Sequence, residues 1–180
     1  TRQYQTDLVA APLFHTVSAK PPVSDARPVV WDRPILFVRL DIGNGQALNL
    51  FNVHYRAPLA AFIPGQKSDP FAWKSMAGWA EGYYLASMKR SGQALETRLA
   101  MEDCFERDEK ALICVAGDFN AGPEEMPVRI VLGREEDTGN AALAGRSLIS
   151  TELSLPEDRR FTVIHSGKRQ MLDHILASRG

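Results

Sequence analysis

Only two cysteines occur in the 180 residues, Cys104 and Cys114. Their spacing is not that of a metal site, and two are too few for a disulfide framework. Cys104 falls in a helical pattern and Cys114 in mid-strand, so both read as buried free thiols and favour a reducing, cytoplasmic compartment. No run approaches the ~20 apolar residues of a membrane-spanning helix, and no apolar stretch before a small-residue cleavage site marks a leader. An excess of charge is missing too: 21 Lys+Arg stand against 22 Asp+Glu, a net charge of −1. Without a general basic field the chain has no diffuse hold on a nucleic-acid backbone. A phosphate-bearing substrate would need local groups or metal ions to neutralise it. Repeats, low-complexity tracts and charge blocks are absent as well. With 44% hydrophobic and 24% charged residues, the composition excludes disordered, collagenous and disulfide-scaffold chains.

What is present suits one domain over residues 1–180 with a sizeable core. The stretch to about Trp31, with Pro12, Pro21, Pro22 and Pro28, reads as an irregular segment laid on a body. The β-branched and aromatic run Ile35–Ile42, the turn signal Gly43-Asn44-Gly45 and the run Ala47–His54 predict an antiparallel hairpin. An oddly apolar loop follows from Tyr55 to Pro70. From Phe71 to Arg107 the pattern is helical, with Trp73, Met76, Ala77, Ala80, Tyr84 and Met88 at three- and four-residue steps, and Ser91-Gly92 is placed to kink it. Ala111–Ala116 reads as a strand buried on both faces, and Met126–Leu132 as a short helix. Residues 133–160 read as loop-rich. Two last strands are expected at Phe161–His165 and Met171–Ala177, joined through Ser166-Gly167-Lys168. Strand pairs with long helices in this length give an α+β or layered α/β domain.

Chemistry concentrates at three places. Gly117-Asp118-Phe119-Asn120 puts a carboxylate and a carboxamide two residues apart at the carboxyl end of an apolar strand, where ligands collect in layered sheets. Hard oxygens of this kind suit Mg²⁺. The same two residues also serve turns in which each bonds its own backbone, and residue chemistry alone slightly favours that use. His54 ends a strand, where a lone histidine is more often a satisfied structural group than a catalytic one. Asp173 sits in the otherwise apolar Met171–Leu176 and needs a cation, a metal or donors if it is buried. His174 must point to the opposite face of that strand.

Asn-x-His at a strand end (Asn52, His54), Gly-Asp-Phe-Asn after a helix and a buried strand, then Leu-Asp-His-Ile-Leu-x-Ser, taken in this order, resemble the endonuclease/exonuclease/phosphatase superfamily from about Ile35 to Ser178. That group includes deoxyribonuclease I-like nucleases, abasic-site endonucleases, sphingomyelinases and inositol-polyphosphate phosphatases. The resemblance implies a four-layer α/β/β/α sandwich, DNase I-like, acting as a phosphoesterase with Mg²⁺ or Mn²⁺. Carried over by position, His54 would hydrogen-bond the scissile phosphate, Asp118 would orient or activate the attacking water, and Asn120 would hold Asp118 and a phosphate oxygen. Asp118 and Asn120 would also face the metal, and Asp173 matches a carboxylate that orients a catalytic histidine.

Asn52 and Arg56 are candidate substrate contacts, although a solvated arginine accounts equally well for Arg56. The family's metal-binding Glu and its closing Ser-Asp-His do not appear in the chain. It is therefore expected to be the central and late part of a larger hydrolase domain, incomplete as it stands. The expected partner is a phosphate ester, with DNA or RNA among the options, although the near-neutral charge argues against an avid, sequence-blind DNA binder. A binding or assembly module with a silent site is the competing reading.

Overall fold

A computed structural model describes residues 1–179. Within the irregular opening stretch lie three short strands, β1 (Arg2–Tyr4), β2 (Leu13–Phe14) and β3 (Arg27–Pro28), the last two paired with each other. Gly43, Asn44 and Gly45 all take positive φ. They turn β4 (Ile35–Gly43) back into β5 (Gln46–His54) in antiparallel register, Leu36 opposite Asn52. The apolar run after the helix forms β6 (Leu112–Asp118), parallel to β5. A parallel neighbour cannot be reached by a tight turn and needs a crossover. That crossover is α1, Met76–Arg107, capped by Ser75, whose Oγ accepts the Gly78 N–H at 3.0 Å.

Helix α1 runs unbroken through Ser91-Gly92, against the expected kink. Gly92 has a packing reason instead: a Cβ there would lie 2.1 Å from the indole of Trp31, which is buried against the helix. The inward face also differs from the apolar stripe read from the sequence. Met76 and Tyr84 are exposed, and the first half of α1 turns Gly78, Gly82 and Ala86 inward. Small residues at four-residue steps let a neighbouring backbone approach, and here the Ala61 N–H reaches the Gly82 carbonyl at 2.8 Å. The second half buries Ala94, Ala100, Met101 and Phe105 against the sheet.

The opening stretch is stitched onto α1 by its carboxylates. Fully buried Glu96 accepts from the backbone N–H groups of Thr6, Asp7 and Leu8 and from Trp31 Nε1, at 2.6–3.0 Å. Glu81 accepts from Val17 and Ser18.

The short helix α2 (Met126–Leu132) forms where expected and ends at Gly133 in the left-handed region. Residues 133–160 hold α3 (Glu135–Thr138), three 3-10 turns and the strand β7 (Leu148–Ser150). The two last strands are not joined directly through Ser166-Gly167-Lys168 as expected, because a further short strand intervenes. β8 (Val163–His165) folds back on β9 (Lys168–Gln170), while β10 (Asp173–Ser178) enters the main sheet between β6 and β7. The resulting six-stranded sheet has the order β1-β4-β5-β6-β10-β7.

One face of the sheet carries Phe51, Val53, Ile113, Val115 and Leu176 into the core beneath α1 and α2. The other bears Val38, Leu40, Leu50, Leu112, Ile149 and Ile175, with Leu40, Ile149 and Ile175 exposed. The α+β class is as expected, and the described residues supply one helix layer and one sheet layer of an α/β/β/α arrangement. No helix among them is long and apolar enough to cross a membrane. Burial pushes both thiols, Cys104 and Cys114, up in pKa, and both are free.

In an open helix position Gly92→Ala would stabilise by about 1 kcal/mol. Against Trp31 it is expected to destabilise by about 1–3 kcal/mol through overpacking, measured by urea denaturation. A gain in stability would show that the indole does not rest on the helix.

Candidate active site

Three of the four predicted catalytic residues stand in one row. His54 is opposite Asp118 in the parallel β5–β6 register, and Asp118 is opposite Asp173 in the antiparallel β6–β10 register. Adjacent strands are about 4.8 Å apart. All three side chains therefore leave the same end of the sheet, on the face away from α1. His54 Nε2 and Asp118 Oδ2 are 3.5 Å apart, and both side chains are partly open to solvent. The strands can meet this closely because position 117 is glycine. Its φ is 140°, and a Cβ would fall 2.0 Å from the Val53 carbonyl oxygen.

The turn after β6 is held on every side. Asn120 adopts φ 49°, a left-handed conformation that Asn tolerates better than most residues. Its N–H donates to Asp118 Oδ1 at 2.8 Å, and its Nδ2 donates to the Tyr55 carbonyl at 2.9 Å. The Asx-type bond expected of a plain turn is thus made, and it fixes one Asp118 oxygen while Oδ2 faces His54. Arg90, nearly buried on α1, donates from Nη1 to the Asn120 carbonyl at 2.9 Å. The Tyr55 N–H donates to the Asp118 carbonyl at 2.9 Å, and Arg33 Nη1 donates to the Tyr55 carbonyl at 3.2 Å. The phenol of Tyr55 lies in the core, donating to Thr97 at 2.7 Å, and burial pushes its pKa upward.

Asp173 departs from expectation. It is exposed, so water solvates its carboxylate and burial demands no partner. It lies two strands from His54, about 10 Å by strand spacing; the histidine that the resemblance gives it as partner belongs to the closing Ser-Asp-His motif, which does not appear in the chain. Its backbone N–H and that of Leu172 both donate to Thr162 Oγ1, and the Phe119 N–H donates to the Leu172 carbonyl at 2.9 Å. The last of these bonds ties the start of β10 to the end of β6, and the other two tie it to the residue before β8.

Asn52 sits one row further into the sheet on the same face, its Nδ2 donating to the Ala116 carbonyl at 3.3 Å. Arg56 is committed elsewhere: Nη1 pairs with Asp32 at 3.2 Å, its N–H donates to Gln93, and its Nε is buried without a partner among the described residues. His174 turns to the core face, as strand alternation requires, and is buried there. Sequence reading missed Arg90, Thr162 and the backbone of Tyr55. For Arg90 a signal existed, a charged residue four positions from Ala86 and Ala94 on one helix face. Among the described residues, no three His, Cys, Asp or Glu side chains gather closely enough to hold a metal ion.

A family model described as Endonuclease/Exonuclease/phosphatase matches residues 12–180. The chain belongs to that family, whose members are hydrolases acting on phosphate esters. No curated protein sequence matched significantly. Among solved structures, the human Nocturnin catalytic domain with bound sulfate shares 14% identity at TM-score 0.43, covering 99% of this chain and 47% of its own. Truncated TDP2 of Caenorhabditis elegans shares 12% at TM-score 0.45, covering 93% of this chain and 51% of its own. Sphingomyelinase C of Streptomyces griseocarneus shares 16% at TM-score 0.42, covering 82% and 43%. The chain thus spans about half the length of these proteins or less.

The left-handed turn separates two contributions of Asn120. In Asn120→Ala the bond to Tyr55 is lost, about 0.5–1.5 kcal/mol, and the left-handed backbone adds about 1–2 kcal/mol. Asn120→Gly loses only the bond. The glycine variant should be the more stable by about 1 kcal/mol in urea denaturation. Equal stabilities would mean the turn is not left-handed in solution.

Proposed function

We propose that this chain carries the catalytic strand ends of a divalent-metal-dependent phosphoesterase, a nuclease-like phosphodiesterase that cleaves its ester by in-line attack of water. The observation that supports this most is the row of His54, Asp118 and Asp173 on adjacent strand ends, with the Asn120 carboxamide beside it. Such an arrangement offers a donor for a phosphate oxygen, a carboxylate for the water and a further acid, on one open face.

His54 Nε2 stands 3.5 Å from Asp118, beyond a good hydrogen bond. The imidazole is therefore able to turn its N–H to a non-bridging phosphate oxygen and stabilise the charge that grows there. Asp118 Oδ2, with Oδ1 occupied by the Asn120 N–H, accepts a proton from the attacking water or aligns it. The Asn120 amide nitrogen is used on Tyr55, which leaves its carbonyl oxygen for a cation. Asp173 extends the acidic end of the row.

The donor set fits Mg²⁺ or Mn²⁺. Asp118 and Asn120 offer hard oxygens with no thiolate, and two protein oxygens suit an ion that keeps several waters. The ion, when bound, would neutralise phosphate charge and lower the pKa of a coordinated water. The balanced overall charge favours a substrate gripped locally over one held along an extended polyanion.

The test uses the full-length protein with Mn²⁺ or Mg²⁺ and three substrates: bis-p-nitrophenyl phosphate, a plasmid and an abasic duplex. Asp118→Ala and His54→Ala should each lower kcat by roughly 10²–10⁴-fold. Arg2→Ala, at the far sheet edge, should leave it unchanged, and chelation should abolish turnover. Undiminished activity in Asp118→Ala would sink the assignment, and a full-length protein inert on every ester would favour the binding module.

A further inference from the structure

Two consecutive carbonyls of the turn after β6 are each met by a buried nitrogen donor. Arg90 takes the Asn120 carbonyl from the helix side, and His174 takes the next one from the sheet. His174 Nε2 lies 2.8 Å from the Ala121 carbonyl oxygen, and its Nδ1 lies 2.7 Å from Glu152 Oε1, with the ring 1% exposed. A carbonyl oxygen can only accept, so Nε2 must carry a proton. With Glu152 ionised, Nδ1 donates as well, and the ring is then a cation.

We propose that Glu152 keeps His174 as an imidazolium that clamps the Ala121 carbonyl, making His174 a positioning residue for the Asp118–Asn120 end of the site. This rests on the phosphoesterase reading for its consequence in catalysis, though not for the clamp. Three groups surround the ring, and the Asp173 charge acts on it from the opposite face of β10. Glu152 comes from a 3-10 turn after β7 and the Ala121 carbonyl from the turn itself. Phe119 packs edge-on with its ring centroid 5.2 Å away.

Burial by itself would push the His174 pKa down; the bonds to Glu152 and Ala121 and the charges of Glu152 and Asp173 outweigh it and hold it above its ordinary 6.5. Burial would likewise raise Glu152, yet the bond to His174 leads the effects that hold it below its ordinary 4.5. Hydrogen bonds from Ser150 and from the Glu152 backbone N–H also favour the ionised carboxylate.

The chain of contact is short. Ala121 follows Asn120, whose N–H sets Asp118 and whose amide is tied to Tyr55. If the ring loses its Nδ1 proton, the neutral imidazole can move its remaining proton to face Glu152, and its bare Nε2 then repels the carbonyl oxygen. A displacement of about 1 Å at a catalytic group can cost 10²-fold in rate.

The signs of the two shifts fix the pH dependence of stability. The contribution of His174 is complete below its ordinary pKa and is lost as pH rises through the raised one. That of Glu152 is complete above its ordinary value and is lost as pH falls through the lowered one. The melting temperature should therefore fall above about pH 7 in the native protein, and this part of the fall should be missing in His174→Phe if that variant folds.

The deciding experiment takes the full-length protein through pH 5–9 with two readouts. Nitrogen-15 shifts of the His174 ring should report both nitrogens protonated at pH 7, and the backbone amides of Asn120 and Ala121 should titrate in step with the ring. In Glu152→Gln, kcat on bis-p-nitrophenyl phosphate at pH 8 should fall about 10-fold with KM within 2-fold of native. The alkaline limb of its kcat profile should move to lower pH by one unit or more. A neutral His174 at pH 7 overturns the proposal whatever the activity. So does a Glu152→Gln protein that melts earlier yet keeps the native pH profile, because the pair would then be packing alone. A native protein that turns over no ester while its ring is doubly protonated and its turn titrates with it overturns the phosphoesterase reading and upholds the clamp.

Discussion

The parallel pairing of β5 with β6 is the constraint on which the site depends. His54 and Asp118 lie 64 positions apart in sequence and become neighbours only because these strands run side by side in one register. Alternation along a strand has a period of two, so a slip of one residue would send His54 and Asp118 to opposite faces. Three features hold the register: the crossover through α1, the apolar row of Phe51, Val53, Ile113 and Val115 beneath it, and the absence of a side chain at Gly117. The antiparallel entry of β10 then adds Asp173 to the same row.

Much of this is legible in the order of the amino acids. The hairpin, β6 and α2 announce themselves because β-branched runs, glycine turns and short periodic patterns are local signals. The row of site residues is legible through the family resemblance of the three motifs taken in order, since residue chemistry alone favours a turn for Asp118 and Asn120 and a structural role for His54. What stays hidden is non-local. The inward face of α1 is built from Gly78, Gly82 and Ala86 together with Arg90, Gln93, Glu96 and Thr97, residues that a count of hydrophobic positions treats as outward. The exposure of Asp173 is hidden as well, because an apolar stretch of sequence does not reveal that one face of its strand meets water.

Polar groups inside the helix–sheet layer share one task. Arg90, Gln93, Glu96, Thr97 and His174 each reach a distant partner, and most of those partners are backbone atoms of loops or of the opening stretch. Buried polar atoms are costly unless paired, and the pairing makes each of them specific to one arrangement. Apolar packing supplies the core under the sheet. Directional bonds decide where the irregular chain segments lie, among them the turn after β6 that follows Asp118.

The close approach of the loop after β5 to α1 has a consequence for the mobility of that loop. Ala61 bonds the helix backbone at Gly82, Ile63 is fully buried, and Gln66 is tied to Ser18 and Ser75. Leu59 and Phe62 project outward from this anchored frame. Such a wall has little freedom to adapt. Whatever meets Leu59 and Phe62 meets side chains already held in place by the helix beneath them.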